Sequence, residues 1–338
     1  MSLNNSFFTD SYTFLLEENQ IILLSSAFSL FPLGIILNII QIFIFMRKIF
    51  FNTFTGDFFI IISVNNILVL TLTSLRFMGF IEIFKIDENS NLWCKIVPFL
   101  TRLGYQACSW LNYFVTLERF IFVILPTKHK LLKNKNHYIL KLCICFYCLL
   151  ILINIPSLLY ESRVYQAKNL TNTTTEFVEV CTAEPSIGIT REFISIVFGI
   201  FTPFLLTIAT NIYFVKKVMD SKRKVSSKKN LNFAIPLIIS NILFLLCQLP
   251  LSFYFVCLFF LVLYPRLYLS PLVSNFIQIL DSSSRIIACF NYSFCLVIQL
   301  ILNKLCRKEF YKMICEFLSK FFKCIKPMDD RMITQSSK

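Results

Sequence analysis

Long apolar runs alternate with short charged connections along most of the chain. Seven runs are long enough to cross a bilayer, because about 20 predominantly apolar residues form a helix that spans its hydrocarbon core. A charged, amphipathic segment over residues 303–338 follows the last run. The pattern therefore predicts an all-α membrane protein, a seven-transmembrane helix bundle with a short amphipathic eighth helix. The predicted spans are residues 21–46, 58–80, 94–125, 138–160, 192–215, 232–262 and 269–302.

Basic residues occur mainly in the connections after the first, third and fifth spans and in the C-terminal segment. By the positive-inside rule, this bias predicts that residues 1–20 are extracellular and that the C-terminus is cytoplasmic. The net charge of +14 then reflects topology and contact with anionic lipids at the plasma membrane, not a nucleic-acid surface. The glycosylation sequons at Asn4, Asn169 and Asn172 all lie on the side predicted to be extracellular.

Composition argues against an enzyme and against a metal or other cofactor. Catalytic sites within membrane spans need clustered His, Asp or Glu side chains, and the chain has two histidines, both in one predicted inner loop. A multi-spanning transporter or channel subunit is the alternative from another class. Such proteins often contain internal repeats and Gly/Pro-interrupted helices, and the sequence has no evident repeat and only six glycines.

The third span carries the most informative polar residues. Cys94 begins it, and Cys181 lies in the following outer loop, so a disulfide is possible on the oxidising side, with two free thiols as the alternative. Glu118 and Arg119 lie about 36 Å further along at the cytosolic end. We interpret this pair as a lock that frees Arg119 for a cytosolic partner, or else as an arginine that snorkels at a helix end.

With these residues the chain resembles a rhodopsin-like (class A) G-protein-coupled receptor over about residues 20–325. Glu118-Arg119-Phe120 matches the family's Asp/Glu-Arg-Tyr/Phe motif, and Cys94 precedes Arg119 by the family's spacing. The chain resembles a divergent, invertebrate neuropeptide-receptor-like member, and its bias toward Phe, Ile, Lys and Asn would suit an AT-rich invertebrate genome. Further matching positions are Asn38, Val123, Pro126, Pro203, Phe244, Cys247, Pro250, Asn303, Arg307 and Phe310.

The resemblance implies that an extracellular ligand activates a heterotrimeric G protein. It also implies that the sixth span swings outward about Pro250 when the receptor is activated. The positions that it assigns to coupling and the activation switch are Glu118, Arg119, Phe120, Pro126, Pro203, Phe244 and Pro250.

Several family positions hold other residues. The aspartate of the second span is Asn66, the tryptophan before the proline of the sixth is Gln248, and the tyrosine of the fifth is Asn211. Cys295–Gln299 stands in place of the family's Asn-Pro-x-x-Tyr motif. The family's sodium pocket needs the carboxylate that Asn66 replaces, and Cys108 and Cys295 supply none, so we predict that sodium does not modulate ligand binding here.

Four ionisable residues, Arg76, Arg102, Asp281 and Arg285, lie in the outer half of the predicted bundle, where such groups are candidates for ligand binding. Asp281 and Arg285 are one helical turn apart and can pair with each other, whereas Arg76 and Arg102 have no evident acidic partner. The third span lacks the aspartate with which aminergic receptors hold an ammonium, and the seventh lacks a lysine for retinal. We therefore expect a ligand with an acidic or carbonyl-rich group, a neuropeptide first and an environmental chemosensory ligand second.

Tyr105, Gln106, Gln248 and Phe244 are expected to line the deeper cavity, with ordinary bundle packing as the alternative for the aromatic pair. The predicted ligand-binding set is Arg76, Arg102, Tyr105, Gln106, Gln248, Asp281 and Arg285. Beyond the bundle, lysines and apolar residues intermix between Lys304 and Lys323, as in an interfacial helix. Cys324, flanked by lysines, is the predicted lipidation site.

Overall fold

The computed structural model describes residues 21–51, 53–80, 91–124, 138–168, 175–224, 228–264 and 271–322, with the side chains of some residues near the ends of these ranges left out. Five predicted site residues lie outside the described part of the chain: Asn4, Pro126, Asn169, Asn172 and Cys324. For Arg119 and Cys181 only the backbone is described.

Seven helices form the bundle and an eighth follows it within the described residues. The continuous α-helices are α2 (Phe54–Phe80), α3 (Asn91–Ile124), α4 (Tyr138–Asn154), α6 (Lys228–Leu263) and α8 (Lys304–Phe322). Helix α1 (Ile21–Phe45) contains a π-helical turn, Ser26–Leu30. Helix α5 consists of Pro185–Ile194, a π-helical turn Ser195–Phe201, and Thr202–Lys224. Helix α7 consists of Pro271–Ser293 and Cys295–Leu302, with a bend of 45° between them.

Helix α3 lies at the centre of the bundle, in contact with α2, α4, α5 and α6. Among the described residues, five helices are long and apolar enough to cross a membrane, or six if the bent α7 counts as one span. Helix α3 is outside that set, although at about 51 Å it is long enough to cross. Polar residues such as Thr101, Arg102, Gln106 and Ser109 are buried along it against neighbouring helices. A helix surrounded by protein does not need the apolar surface that lipid requires.

A β-hairpin connects α4 to α5, which the sequence did not lead us to predict. Strands β1 (Glu161–Lys168) and β2 (Thr175–Thr182) pair antiparallel, with Ser162 opposite Cys181. Strand β1 contacts α3. We call this end of the bundle the hairpin end, and the opposite end the α8 end.

The junction between α7 and α8 is capped by Asn303. This residue has an extended backbone conformation, and its side-chain oxygen accepts the backbone N–H groups of Leu305 and Cys306 at 3.0 and 3.3 Å. Asparagine is a favoured N-cap because it satisfies donors that have no partner in the first helical turn. The chain can therefore turn sharply here and start α8.

Candidate ligand cavity and ion clusters

A cavity lies between α3, α5, α6 and the π-helical turn of α5. It contains about 500 Å³ of space not filled by atoms, part of it open to solvent. Its lining combines polar side chains with apolar and aromatic ones, the mixture that is typical of ligand sites. The lining residues are Arg102, Tyr105, Gln106, Ser109, Ser195, Gly199, Ile200, Pro203, Phe204, Phe244, Gln248, Leu251, Ser252 and Phe255.

Gln248 joins the deep end of the cavity to α7. Its Nε2 donates to the Tyr292 hydroxyl at 2.9 Å and to Ser109 Oγ at 3.3 Å. Its Oε1 is buried and has no hydrogen-bond partner among the described residues. A buried acceptor without a partner is unfavourable, because it has lost its hydrogen bonds to water.

The wall formed by α5 approaches α3 very closely at Gly199. A Cβ added at this glycine would lie 2.7 Å from Cγ of Gln106. The π-helical turn Ser195–Phe201 ends just before Pro203, whose missing N–H cannot continue the helical hydrogen bonds. Gln106 is held on its other side by Asn154 Nδ2, which donates to Gln106 Oε1 at 2.6 Å.

A buried ion cluster lies beside the cavity. Glu192 is 1% exposed, and its Oε1 accepts hydrogen bonds from Arg102 at 2.6 Å and from Arg191 at 2.7 Å. Arg102 also donates to Ser195 Oγ at 2.7 Å, and the Arg191 guanidinium lies 3.7 Å from the centre of the Tyr160 ring. We call Arg102, Glu192 and Arg191 the α3–α5 triad, which has one more positive than negative charge.

A second cluster of the same composition connects α2 with α7. Asp281 accepts a hydrogen bond from Arg76 at 2.9 Å and one from Arg285 at 2.6 Å. The Arg285 guanidinium also lies 5.6 Å from the ring centres of Tyr105 and of Tyr254. This α2–α7 triad likewise has an excess of one positive charge.

The expectation that Arg76 and Arg102 lack an acidic partner is wrong. Asp281 pairs with Arg76, whose side chain is 38% exposed. Glu192 pairs with Arg102, whose buried guanidinium needs a nearby counter-charge. Asp281 and Arg285 do pair, as their spacing allows. Glu192, Arg191 and Ser195 were not predicted, because the apolar pattern marks Glu192 only as the start of a span. The helix begins earlier, at Pro185.

Of the seven residues predicted to bind ligand, four line the cavity: Arg102, Tyr105, Gln106 and Gln248. Phe244, assigned to the activation switch, lines it too, as does Pro203. The other three, Arg76, Asp281 and Arg285, form the α2–α7 triad, which contacts the cavity wall through Tyr105.

An amide network surrounds Asn66, the residue that stands where the resemblance expects an aspartate. Asn66 Nδ2 donates to Asn38 Oδ1 at 3.1 Å and to the carbonyl of Tyr292 at 3.4 Å. The Cys108 thiol donates to Asn66 Oδ1 at 3.5 Å, while Cys295 accepts a hydrogen bond from Gln41 Nε2 at 3.7 Å. No carboxylate contacts Asn66 in the described part of the chain, and no described group of three His, Cys, Asp or Glu residues could hold a metal.

Of the predicted activation residues, Glu118 and Phe120 lie toward the α8 end, whereas Pro203 and Phe244 line the cavity. Glu118 is half-buried on α3, and the Phe120 ring lies 5.4 Å from that of Tyr213 on α5. Two residues before Tyr213 along α5, Asn211 accepts a hydrogen bond from Asn241 of α6 at 3.0 Å. The Glu118–Arg119 lock stays a prediction, because the Arg119 side chain lies outside the described part.

Two further contacts fix the ends of the bundle. Cys94 at the start of α3 is disulfide-bonded. Its pairing with Cys181 stays a prediction, since the Cys181 side chain is not among those described. At the α8 end, Arg47 forms ion pairs with Glu309 at 2.8 Å and Glu316 at 2.7 Å, which tie the end of α1 to α8.

Comparison with known proteins gives one family. The model of the 7 transmembrane receptor (rhodopsin family) matches residues 37–297, which is well over half of the chain. A search of the curated proteins finds no match. The matched range begins next to Asn38, includes the cavity and both triads, and ends within the second segment of α7. The chain belongs to the rhodopsin family of seven-transmembrane receptors.

Proposed function

We propose that this receptor binds an extracellular peptide in the cavity between α3, α5 and α6 and then activates a heterotrimeric G protein. Membership in the family makes the chain a multi-pass membrane receptor that acts through G proteins, not an enzyme. The peptide, the plasma membrane as the location, and the extracellular N-terminus are the proposed parts. The excess of basic residues on the α8 side supports that orientation.

The hydrogen bonds of two carboxylates favour an acidic or carbonyl-bearing ligand over an amine. Glu192 and Asp281 are the carboxylates of the two triads, and each already accepts hydrogen bonds from two arginines. An ammonium ligand would have to compete with two guanidinium groups for either of them. A ligand with carboxylate or carbonyl groups instead matches the donors that the cavity offers at Arg102. Peptides carry such groups at every residue.

At the α8 end, a contact between α5 and α6 lies where the movement that admits the G protein would occur. In the family's mechanism α6 moves outward, and here the Asn211–Asn241 hydrogen bond would have to break for that movement. Arg119, freed from Glu118, would then contact the G protein. We also propose the disulfide between Cys94 and Cys181, glycosylation at Asn4, Asn169 and Asn172, and lipidation of Cys324.

The test is a screen of a synthetic peptide library on cells that express the receptor with a promiscuous G protein. Arg119→Ala is expected to abolish the peptide response at unchanged surface expression, and Lys48→Ala, an exposed basic residue at the same end, to preserve it. A response that survives Arg119→Ala would contradict the lock. A response to small volatile or soluble compounds alone would replace the peptide by a chemosensory ligand, and silence to both would contradict both ligand classes.

A further inference from the structure

Two polar residues of the cavity, Arg102 and Gln248, lie at different depths. Arg102 is 8% exposed and belongs to a triad with one uncompensated positive charge among the described residues. Gln248 is also 8% exposed, and its Oε1 lacks a hydrogen-bond partner there. Both residues line the same cavity. Each residue therefore favours a particular chemical group on the ligand that fills the cavity.

Arg102 favours a negatively charged group on the ligand. The hydrogen bonds to Glu192 and Ser195 use two of the five N–H donors of a guanidinium. A carboxylate placed beside Arg102 would neutralise the excess charge of the α3–α5 triad in a region of low dielectric constant, where such pairing is strongest. The Phe255 ring, 5.4 Å from the Arg102 guanidinium, covers another side of the cation.

Gln248 favours a hydrogen-bond donor on the ligand. Its Nε2 is already bonded to Tyr292 and Ser109, so the amide is fixed in place and its oxygen remains as the acceptor. A ligand N–H or O–H group that reaches this oxygen would restore the hydrogen bond lost on burial. The donor group has to reach the depth of Ser109.

The positions of these two ligand groups are separated by a distance that α3 defines. Arg102 and Ser109 are both on α3, and seven residues of α-helix correspond to about 10 Å along the axis. The lining between these depths includes the apolar side chains of Ile200, Leu251 and Phe255. Tyr105 and Gln106 also lie there, but the Tyr105 hydroxyl is bonded to Thr73 and Gln106 Oε1 accepts from Asn154. The middle of the ligand therefore meets largely apolar surface.

We infer that the ligand has two polar ends joined by an apolar part, with a carboxylate at Arg102 and an N–H or O–H donor about 10 Å deeper, at Gln248. This inference rests on the proposed function, because it specifies the chemistry that the ligand presents in the same cavity. A peptide can supply the carboxylate from an acidic side chain or from its C-terminus, and the donor from an amide, a hydroxyl or an amine.

The test uses suberamate, in which six methylenes separate a carboxylate from a primary amide. Octanoate, which lacks the amide, and octanamide, which lacks the carboxylate, are the matched probes. Each is added at about 10 mM to the purified full-length receptor, since a ligand of this size is expected to bind weakly. We expect suberamate to raise the Tm by about 2 °C and each of the other probes to raise it by clearly less.

Two variants assign the ends of the probe. Arg102→Gln is expected to reduce the suberamate shift to that of octanamide, and Gln248→Leu to reduce it to that of octanoate. Arg307→Gln on α8 and Gln278→Leu on α7 are the same substitutions outside the cavity lining, and they should leave the shift intact. If Arg102→Gln does not fold, Arg102→Lys keeps the charge but removes the planar fork, and should still weaken the shift.

Equal shifts from the three probes, no shift from suberamate, or a shift that survives both cavity substitutions would overturn the inference. The measurement requires neither a G protein nor a known agonist. A failed peptide screen together with an assigned suberamate shift would therefore remove the peptide and keep the ligand chemistry. A peptide response without any suberamate shift would do the reverse.

Discussion

At the scale of single residues, Gly199 determines how closely α5 approaches α3. An alanine Cβ at this position would lie 2.7 Å from Gln106 Cγ and 3.1 Å from its Nε2. We expect Gly199→Ala to displace Gln106, weaken its hydrogen bond with Asn154, and destabilise the receptor by about 1–3 kcal/mol. Thermal unfolding of the purified receptor measures the change.

Gly188→Ala is the matched control, because it is the same substitution in the first segment of α5. Its nearest neighbour would be Val262 Cγ1 at 3.4 Å, an ordinary contact. Replacing a helical glycine by alanine favours the helix by up to about 1 kcal/mol where space permits, so this variant should be neutral or more stable. Equal loss of stability in the two variants would contradict the role given to Gly199.

Glu192 is the residue on which the α3–α5 triad depends. Glu192→Gln would leave Arg102 and Arg191 close together without a counter-charge, and we expect destabilisation by about 3–5 kcal/mol. Surface expression and the Tm of the purified protein report this loss. Glu184→Gln, an exposed carboxylate just before the same helix, should change stability little.

A double variant separates charge repulsion from lost packing. Arg191→Gln together with Glu192→Gln leaves Arg102 as the one ionised member of the triad, with the same net charge of +1 as the native triad. We expect it to recover part of the stability lost in Glu192→Gln. Loss in the double variant equal to the sum of the two single losses would mean that the two charges act independently.

At the scale of elements, Arg47 connects α8 to the end of α1. Its hydrogen bond to Glu316 is the main cause that raises the pKa of its guanidinium above the ordinary value. For docking of α8, however, Glu309 should contribute more, because its side chain is 10% exposed and that of Glu316 is 51% exposed. Exposed ion pairs contribute about 1 kcal/mol or less.

Amide hydrogen exchange of α8 distinguishes these two carboxylates. We expect Glu309→Gln to speed exchange in α8 by about tenfold and Glu316→Gln by less than about threefold. Equal effects, or the reverse order, would show that burial does not determine the strength of this contact. The Tm of the whole receptor should move little in either variant, since local opening of a terminal helix does not unfold the bundle.

The sequence predicts an element when the residues that determine it lie within that element. Apolar runs and positive charges mark the helices because lipid imposes them on each segment separately. Asn303 marks the start of α8 because an N-cap acts on the first turn of its own helix. The hairpin Glu161–Thr182 has no apolar face long enough to mark it. The 45° bend after Ser293 was also missed, because no proline or glycine lies at the break.

At the scale of the whole molecule, the candidate site was predicted only where one helix defines it. Tyr105, Gln106 and Gln248 were found because family resemblance and helical spacing place them toward the interior. The partners of Arg102 and Arg76 are about 90 and 205 positions away along the chain, and spacing gives no indication of such contacts. Charge balance could have prompted the search, since a buried arginine needs a carboxylate somewhere in the bundle.

The amide network of Asn38, Asn66 and the Tyr292 carbonyl joins α1, α2 and α7 without any charged group among its described members. A sodium ion there would have no carboxylate to offset the loss of its hydration, so we predict that sodium does not stabilise this receptor. Tm values of the purified receptor in about 0.15 M sodium chloride and in the same concentration of N-methyl-D-glucamine chloride should agree within about 1 °C.

Asn66→Asp supplies the missing charge at the same size. The aspartate could still accept a hydrogen bond from Cys108, but it would lose the donor that now bonds Asn38 and Tyr292. We expect this variant to be less stable than the native receptor in N-methyl-D-glucamine and to recover part of that loss in sodium, because the ion offsets the buried negative charge. A sodium shift in the native protein, or none in Asn66→Asp, would show that the carboxylate does not determine sodium binding here.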